Sequence, residues 1–325
     1  MTDTYTLDPE FRHGTLREPI RAGFGEGLVA AGEADQAVVA LCADLTESTQ
    51  MHLFRDRFGP RFIQVGVAEQ NLITVAAGLA RAGRIPFASS YAAFSPGRNW
   101  EQFKTTACLN DLPVKMVGAH AGLNVGHDGA THQMLEDIAL MRALPNTVVV
   151  CPGDSREARR ATVALASHPG PAYLRLARDA TPVFSADDAP FEVGTAYRLR
   201  EGTDISLIAT GTMTAHALVA AEILADSGRS AEVIHAPTVK PLDEGTILRT
   251  AAKTGRVVTI EEAQRAGGLG GAVAELLAER LPTRMLRLGV DNRFGESGKP
   301  DELLAHFGLD SPGIANAVRQ HPNFW

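Results

Sequence analysis

Short runs of apolar, often β-branched residues alternate with amphipathic stretches along most of the chain. AVVALCADL (37–45) and RFIQVGVA (61–68) read as buried strands. EQNLITVAAGLARAG (69–83) has the three-to-four spacing of a helix and ends near Gly83. IPFASS, VKMVGA, TVVVC and AYLRLA predict further strands, separated by helical stretches at 98–110, 133–142 and 154–167. Strands without a polar face, alternating with helices, belong in a mainly parallel sheet covered on both sides. The stretch DATPVFSADDAPFE (179–192) then loses all period and predicts an interdomain linker over 181–192. Beyond it a second set begins: DISLIATG, a helix over 212–226, SAEVIHA, RVVTIEEA, a helix over 269–280 and RMLRLGV. The pattern predicts an α/β fold of two parallel-sheet domains, 15–180 and 193–325, behind a short extension, 1–14. A length of 325 residues suits two domains.

Ligands of open parallel sheets sit in the loops after the strands' carboxyl ends. Those loops are ADLTEST, GVAEQN, SSYAAFSPGR and GAHAGLNVGHDGATHQ, all polar, Gly-rich or aromatic. Composition narrows what they hold. A net charge of -7 argues against a general nucleic-acid binder but leaves room for small anions met by a few local cations. Cys42, Cys108 and Cys151 lie far apart without metal-ligand or disulfide spacing, as expected of buried thiols in a reducing compartment. No apolar run of membrane-spanning length occurs, and MTDTYTLDPEFRHG lacks the basic start and apolar stretch of a secretion signal. A cytoplasmic protein without membrane contact is the expectation.

Glu69 falls where a strand gives way to a helix, near unsatisfied helix N–H groups. It is either a first-turn residue stabilising its helix or a site carboxylate. His120, His127, Asp128 and His132 crowd one loop among Gly122, Gly126 and Gly129. Such histidines shuttle protons or donate to phosphate and hydroxyl groups, or merely decorate a loop; their spacing fits no zinc pattern. Tyr91, Phe94 and Trp100 beside Arg98 suit either stacking on a flat heterocycle or ordinary packing. AGGLGGAV (266–273) has Gly268 and Gly270 but Val273 where a dinucleotide-binding turn needs its third glycine, and reads better as a Gly-rich helix start.

Taken together, ADLTEST, RFIQVGVAEQN, PFASSYAAF, HAGLNVGHDGATHQMLED, MRALPNTVVVCPGD, YLRLAR and SGKPDELLAHFGL stand in an order that resembles the carboxyl-terminal half of transketolase, from about Thr15 to Val318. The resemblance implies a pyrimidine-binding domain followed by the family's C-terminal domain. Full-length members begin with a further domain that holds the thiamine diphosphate tail and a divalent metal (Mg or Ca) through a GDG motif and a downstream Asn. No such motif occurs here; the near matches are HDG at 127–129 and PGD at 152–154. The chain therefore looks like one half of a split transketolase whose N-terminal partner subunit holds diphosphate and metal, with two copies of each closing a two-fold heterotetramer.

Carried over by position, Glu69 is implied to share a proton with the cofactor's aminopyrimidine, so that the cofactor's own exocyclic nitrogen takes the thiazolium proton. Tyr91 and Phe94 are implied as walls of that ring's pocket, and Asp44 as a neighbour of the cofactor. His120, Asp128 and His132 are implied to meet sugar hydroxyls and phosphate, with His132 also catalytic. Arg17, Ser48 and Arg178 are the implied phosphate-holding set, and no metal ligand is expected in this chain. Two departures stand out: Tyr91 replaces an expected Phe, and SPG (95–97) makes the Phe94–Arg98 spacing one residue longer. The expected activity is transfer of a two-carbon ketol unit between sugars in pentose phosphate metabolism. The competing readings are the beta-type subunit of a 2-oxo acid dehydrogenase, a deoxyxylulose-phosphate-synthase-like enzyme, and a non-catalytic paralogue that binds a partner.

Overall fold

The computed structural model describes residues 5–11, 16–322 and 324. Of the expected extension 1–14, residues 1–4 and 12–14 lie outside the described residues, as do Thr15 and Trp325. The first domain runs β1 (Arg17–Pro19), α1 (Ile20–Ala34), β2 (Val38–Cys42), α2 (His52–Arg57), β3 (Phe62–Gln64), α3 (Glu69–Arg81) and β4 (Ile85–Tyr91). It continues with α4 (Trp100–Gln102), β5 (Lys115–Ala119), α5 (Asp137–Arg142), β6 (Val148–Val150), α6 (Ser155–Ala166), β7 (Ala172–Arg175) and β8 (Ala180–Pro182). The second domain holds β9 (Tyr197–Arg200), β10 (Ile205–Ala209), α7 (Met213–Ala225), β11 (Ala231–His235), β12 (Thr238–Lys240) and α8 (Glu244–Thr254). It ends with β13 (Arg256–Gln264), α9 (Leu269–Arg280), β14 (Arg284–Val290), α10 (Pro300–His306) and α11 (Ser311–Gln320).

The expected parallel sheets are present. The larger has the order β12-β6-β7-β5-β4-β2-β3, and every strand but β12 is parallel to its neighbours. The smaller has the order β14-β13-β10-β11-β9, with β9 antiparallel at one edge. Strands β2, β5, β7 and β10 are buried at every residue, as helices on both faces require. Helix starts follow local chemistry: Asp154, Asp243 and Asp310 each accept a backbone N–H of the first turn of α6, α8 and α11.

Several elements depart from the sequence pattern. IRAGFGEGLVAAGEA forms α1 despite glycines that weaken helices. They serve close packing: a Cβ at Gly23 would lie 1.7 Å from the Ser155 carbonyl oxygen, and one at Gly27 2.6 Å from that of Arg159. The expected helix over 98–110 is only the short α4 followed by a π-helical turn, Phe103–Cys108. The one expected over 133–142 begins at Asp137, because residues 123–131 form 3-10 turns broken by Gly126 and Gly129. Strand β12 crosses over to the first domain's sheet. Within the expected linker, β8 pairs with β1, and Val183, Phe184 and Ser185 are buried.

Candidate active site

Glu69 is the first residue of α3, placed there by a turn through Gly66 after β3. Its side chain is 5% exposed. The Arg98 Nη1 donates to its Oε2 at 3.3 Å, and the same guanidinium lies 4.2 Å above the centre of the Phe94 ring. Asn99 fixes the backbone beneath, donating from Nδ2 to the Glu69 carbonyl at 2.9 Å and to Ser95 Oγ at 3.0 Å. A buried carboxylate results, with the half-exposed Arg98 cation bridging it to the Phe94 ring.

The ring wall is continuous. Tyr91, at the end of β4, stacks on Phe94 (6.1 Å, 22°) and on His120 (3.8 Å, 24°), and Phe94 meets His132 edge-on at 5.5 Å. His120 is buried, holds a positive φ of 56°, and leaves its Nδ1 without a hydrogen-bond partner. Burial pushes its pKa down to about 3, helped by the cations of Arg21 and Arg178 and by His132. His120 is therefore neutral in ordinary buffers. A strained, unpartnered buried imidazole is costly and suits a ligand-facing role.

Arg21, in the first turn of α1, belongs to no motif in the sequence. It donates to the Ser48 carbonyl oxygen, while its buried Nε has no partner. Burial, then the nearby Arg178 cation, lowers its pKa. Arg178 donates to the Val125 carbonyl at 2.7 Å and lies 3.4 Å from Asp128 Oδ2. Two arginines with unspent donors beside His120 offer hydrogen bonds that an anion can accept, inside a chain of net negative charge. The structure thus brings together Glu69, Tyr91, Phe94, His120, His132, Asp128, Arg178 and the Ser48 backbone. Asp44 stands exposed at the end of β2 with φ of 62°, its N–H bonded to Gln64 Oε1. Arg17 instead reaches the Ala180 carbonyl at 3.1 Å and pairs with Asp301 at 3.4 Å. The cue for Arg21 was a lone basic residue in a first turn, where the helix dipole disfavours it.

Two further groups can be placed. The Gly-rich start of α9 has its N–H donors taken by Glu261, bonded to Leu269 and Gly270 at 2.8 Å each, so it does not offer them to a phosphate. Among the described residues no three His, Cys, Asp or Glu side chains converge as a metal group, and no helix is long and apolar enough to cross a membrane. The recessed carboxylate, the ring wall and the unpartnered His120 nitrogen fit a flat, hydrogen-bonding heterocycle.

Residues 19–183 match the transketolase pyrimidine-binding domain, and residues 194–314 match the transketolase C-terminal domain. A protein of Methanocaldococcus jannaschii named as a transketolase C-terminal section is 44% identical over 93% of this chain and 95% of its own length. The 6-deoxy-6-sulfo-D-fructose transketolase subunit of a Clostridium species is 42% identical over 93% of this chain and 94% of its own. A solved split-gene transketolase, an inactive β4 tetramer, superposes with a TM-score of 0.88 at 41% identity, covering 94% of this chain and 99% of that one. With both domains matched in order and relatives alike along nearly their whole length, this chain belongs to the transketolase family, whose members depend on thiamine diphosphate.

Proposed function

We propose that the chain is the C-terminal subunit of a split transketolase that moves a two-carbon ketol unit between anionic sugars. The observation that carries this reading is the juxtaposition of a recessed Glu69 and its ring wall with the Arg21–Arg178–His120 anion site. Thiamine diphosphate, when bound, supplies the carbanion chemistry. In this chain Glu69 holds or shares a proton at its carboxylate, while Tyr91 and Phe94 exclude water and orient the ring. His120, neutral, donates or accepts one hydrogen bond at Nδ1, and His132, which meets Phe94 edge-on, moves a proton. Arg21 and Arg178 bind the sugar's terminal anion, and Asp128 orients Arg178 and meets hydroxyls. A phosphate or a sulfonate satisfies the same donors; the sulfo-sugar named for the Clostridium relative makes both worth assaying. Diphosphate and a divalent metal belong to a separate N-terminal subunit, and two copies of each chain form a two-fold assembly.

Reconstitution tests the proposal. Purified alone, the chain should show no ketol transfer. Mixed with an N-terminal transketolase subunit, thiamine diphosphate and Mg²⁺, it should turn over, and Glu69→Gln should lower kcat by at least about a hundredfold with an unchanged circular dichroism spectrum. Full turnover by the isolated chain, or by the Gln variant, would sink it.

A further inference from the structure

The loop that carries His120, Asp128 and His132 is gripped from the side of the second domain. Glu262, at the end of β13, is 2% exposed. Its carboxylate accepts the Thr212 hydroxyl at 2.7 Å and the backbone N–H of Asn124. Gly122 makes this approach possible: its φ is 81°, and a Cβ there would lie 2.6 Å from Glu262 Oε1. On the far side of the loop, Gln133 Nε2 donates to the Glu296 carbonyl at 2.9 Å, and a Cβ at Gly129 would lie 2.4 Å from Ser297 Oγ. From Asn124 the grip passes onward. Its side-chain Oδ1 accepts the Asp179 N–H at 2.6 Å, next to Arg178, which itself bonds the Val125 carbonyl.

We propose that Glu262 is a positioning residue for the anion site: by fixing the Asn124 backbone it sets both the histidine loop and, through the Asn124 side chain, the backbone at Arg178. This assignment rests on the proposed function only for what the site binds. A buried carboxyl group whose two oxygens accept a backbone N–H and a hydroxyl ties the loop to the second domain at a fixed point. Deleting it leaves those donors unpaired in a dry space. The second domain therefore shapes the substrate site without touching substrate.

Hydrogen exchange on the full chain, without partner or substrate, tests this. Glu262→Ala should raise exchange about tenfold or more in 122–133 and around Asp179, leaving 69–81 and 85–91 unchanged. Glu262→Gln keeps an oxygen for Asn124 N–H and should stay near wild type. Asn124→Ala should loosen the segment around Asp179 while 122–133 stays protected, which keeps the idea testable even if Glu262→Ala does not fold. In the reconstituted enzyme, Glu262→Ala should raise KM for the anionic sugar more than it lowers kcat. Unchanged protection of the loop in Glu262→Ala, a uniform rise across both sheets, or unchanged exchange at Asp179 in Asn124→Ala overturns it. Correct exchange with no ketol transfer would sink the proposed function and leave Glu262's positioning role standing.

Discussion

An arginine in the first turn of a helix works against the helix dipole, so Arg21 is held on α1 by something other than helix stability. The proposed anion site gives that reason, since the Arg21 Nε is buried without a partner and Arg178 lies beside it. Arg17, four residues earlier, is half-exposed and already paired with Asp301, an arrangement worth little in water. The two arginines are separable by experiment. In the reconstituted enzyme, Arg21→Met should raise KM for a sugar phosphate about ten- to a hundredfold with kcat nearly unchanged, because a hydrogen bond to a charged group contributes about 1.5–3 kcal/mol. Arg17→Met should stay within about twofold. The reverse pattern would move the anion site to the Asp301 end. The sequence offers Glu69, Tyr91 and His120 as candidates because each sits in a motif at or just after a strand end, and the fold brings these three together. Arg21 was not readable, since its signal is a charge out of place and not a motif.

Whole strands were legible because burial on both faces leaves an unbroken apolar run, as in VVALC and ISLIA. What failed were elements whose logic is tertiary. The glycines of α1 look like helix breakers until α6 lies against them, and the turns of 123–131 take their shape from Glu262 and Ser297, residues far off in sequence. The helix α9 was legible at 269–280, yet its start also depends on a tertiary contact. Glu261 caps its first turn from β13, and burial pushes that carboxyl up to about 7 although the Leu269 and Gly270 N–H groups favour its charged form. Between about pH 4.5 and 7 the folded protein keeps a proton that the unfolded chain has released. The stability contribution is thus fully present below pH 4.5 and lost as pH rises through 7, by about 3 kcal/mol at most. Urea unfolding of wild type and Glu261→Gln at pH 5 and 8 reads this directly. Wild type should lose about 2–3 kcal/mol relative to the variant at the higher pH; an unchanged difference would mean that Glu261 titrates normally.

At the scale of the molecule, the two domains share parts that neither completes alone. β12 belongs by sequence to the second domain and closes the edge of the first domain's sheet beside β6. Glu157 of α6 is fully buried against His235 of β11, Nε2 to Oε2 at 2.7 Å, while the other imidazole nitrogen meets Thr214. Burial works to raise the Glu157 carboxyl, but the His235 contact and the Gly153 N–H hold it below its usual range. Arg175 of β7, paired with Asp137 at 2.8 Å, donates to the Glu262 carbonyl at 2.9 Å. Separating the domains would leave the buried Glu157 carboxyl without His235 and Arg175 without the Glu262 carbonyl, and removing one partner of a buried pair costs about 3–5 kcal/mol. The chain should therefore unfold in one transition, coincident by far-ultraviolet circular dichroism and by hydrogen exchange in both sheets. Residues 1–192 expressed alone should not form a cooperatively folded domain, because Glu157 loses His235, Arg175 loses the Glu262 carbonyl and the β6 edge loses β12 together. A sharp unfolding transition in that fragment, or two separate transitions in the full chain, would show that the sheets are independent and that the second domain's grip on the substrate loop is a contact without mechanical consequence.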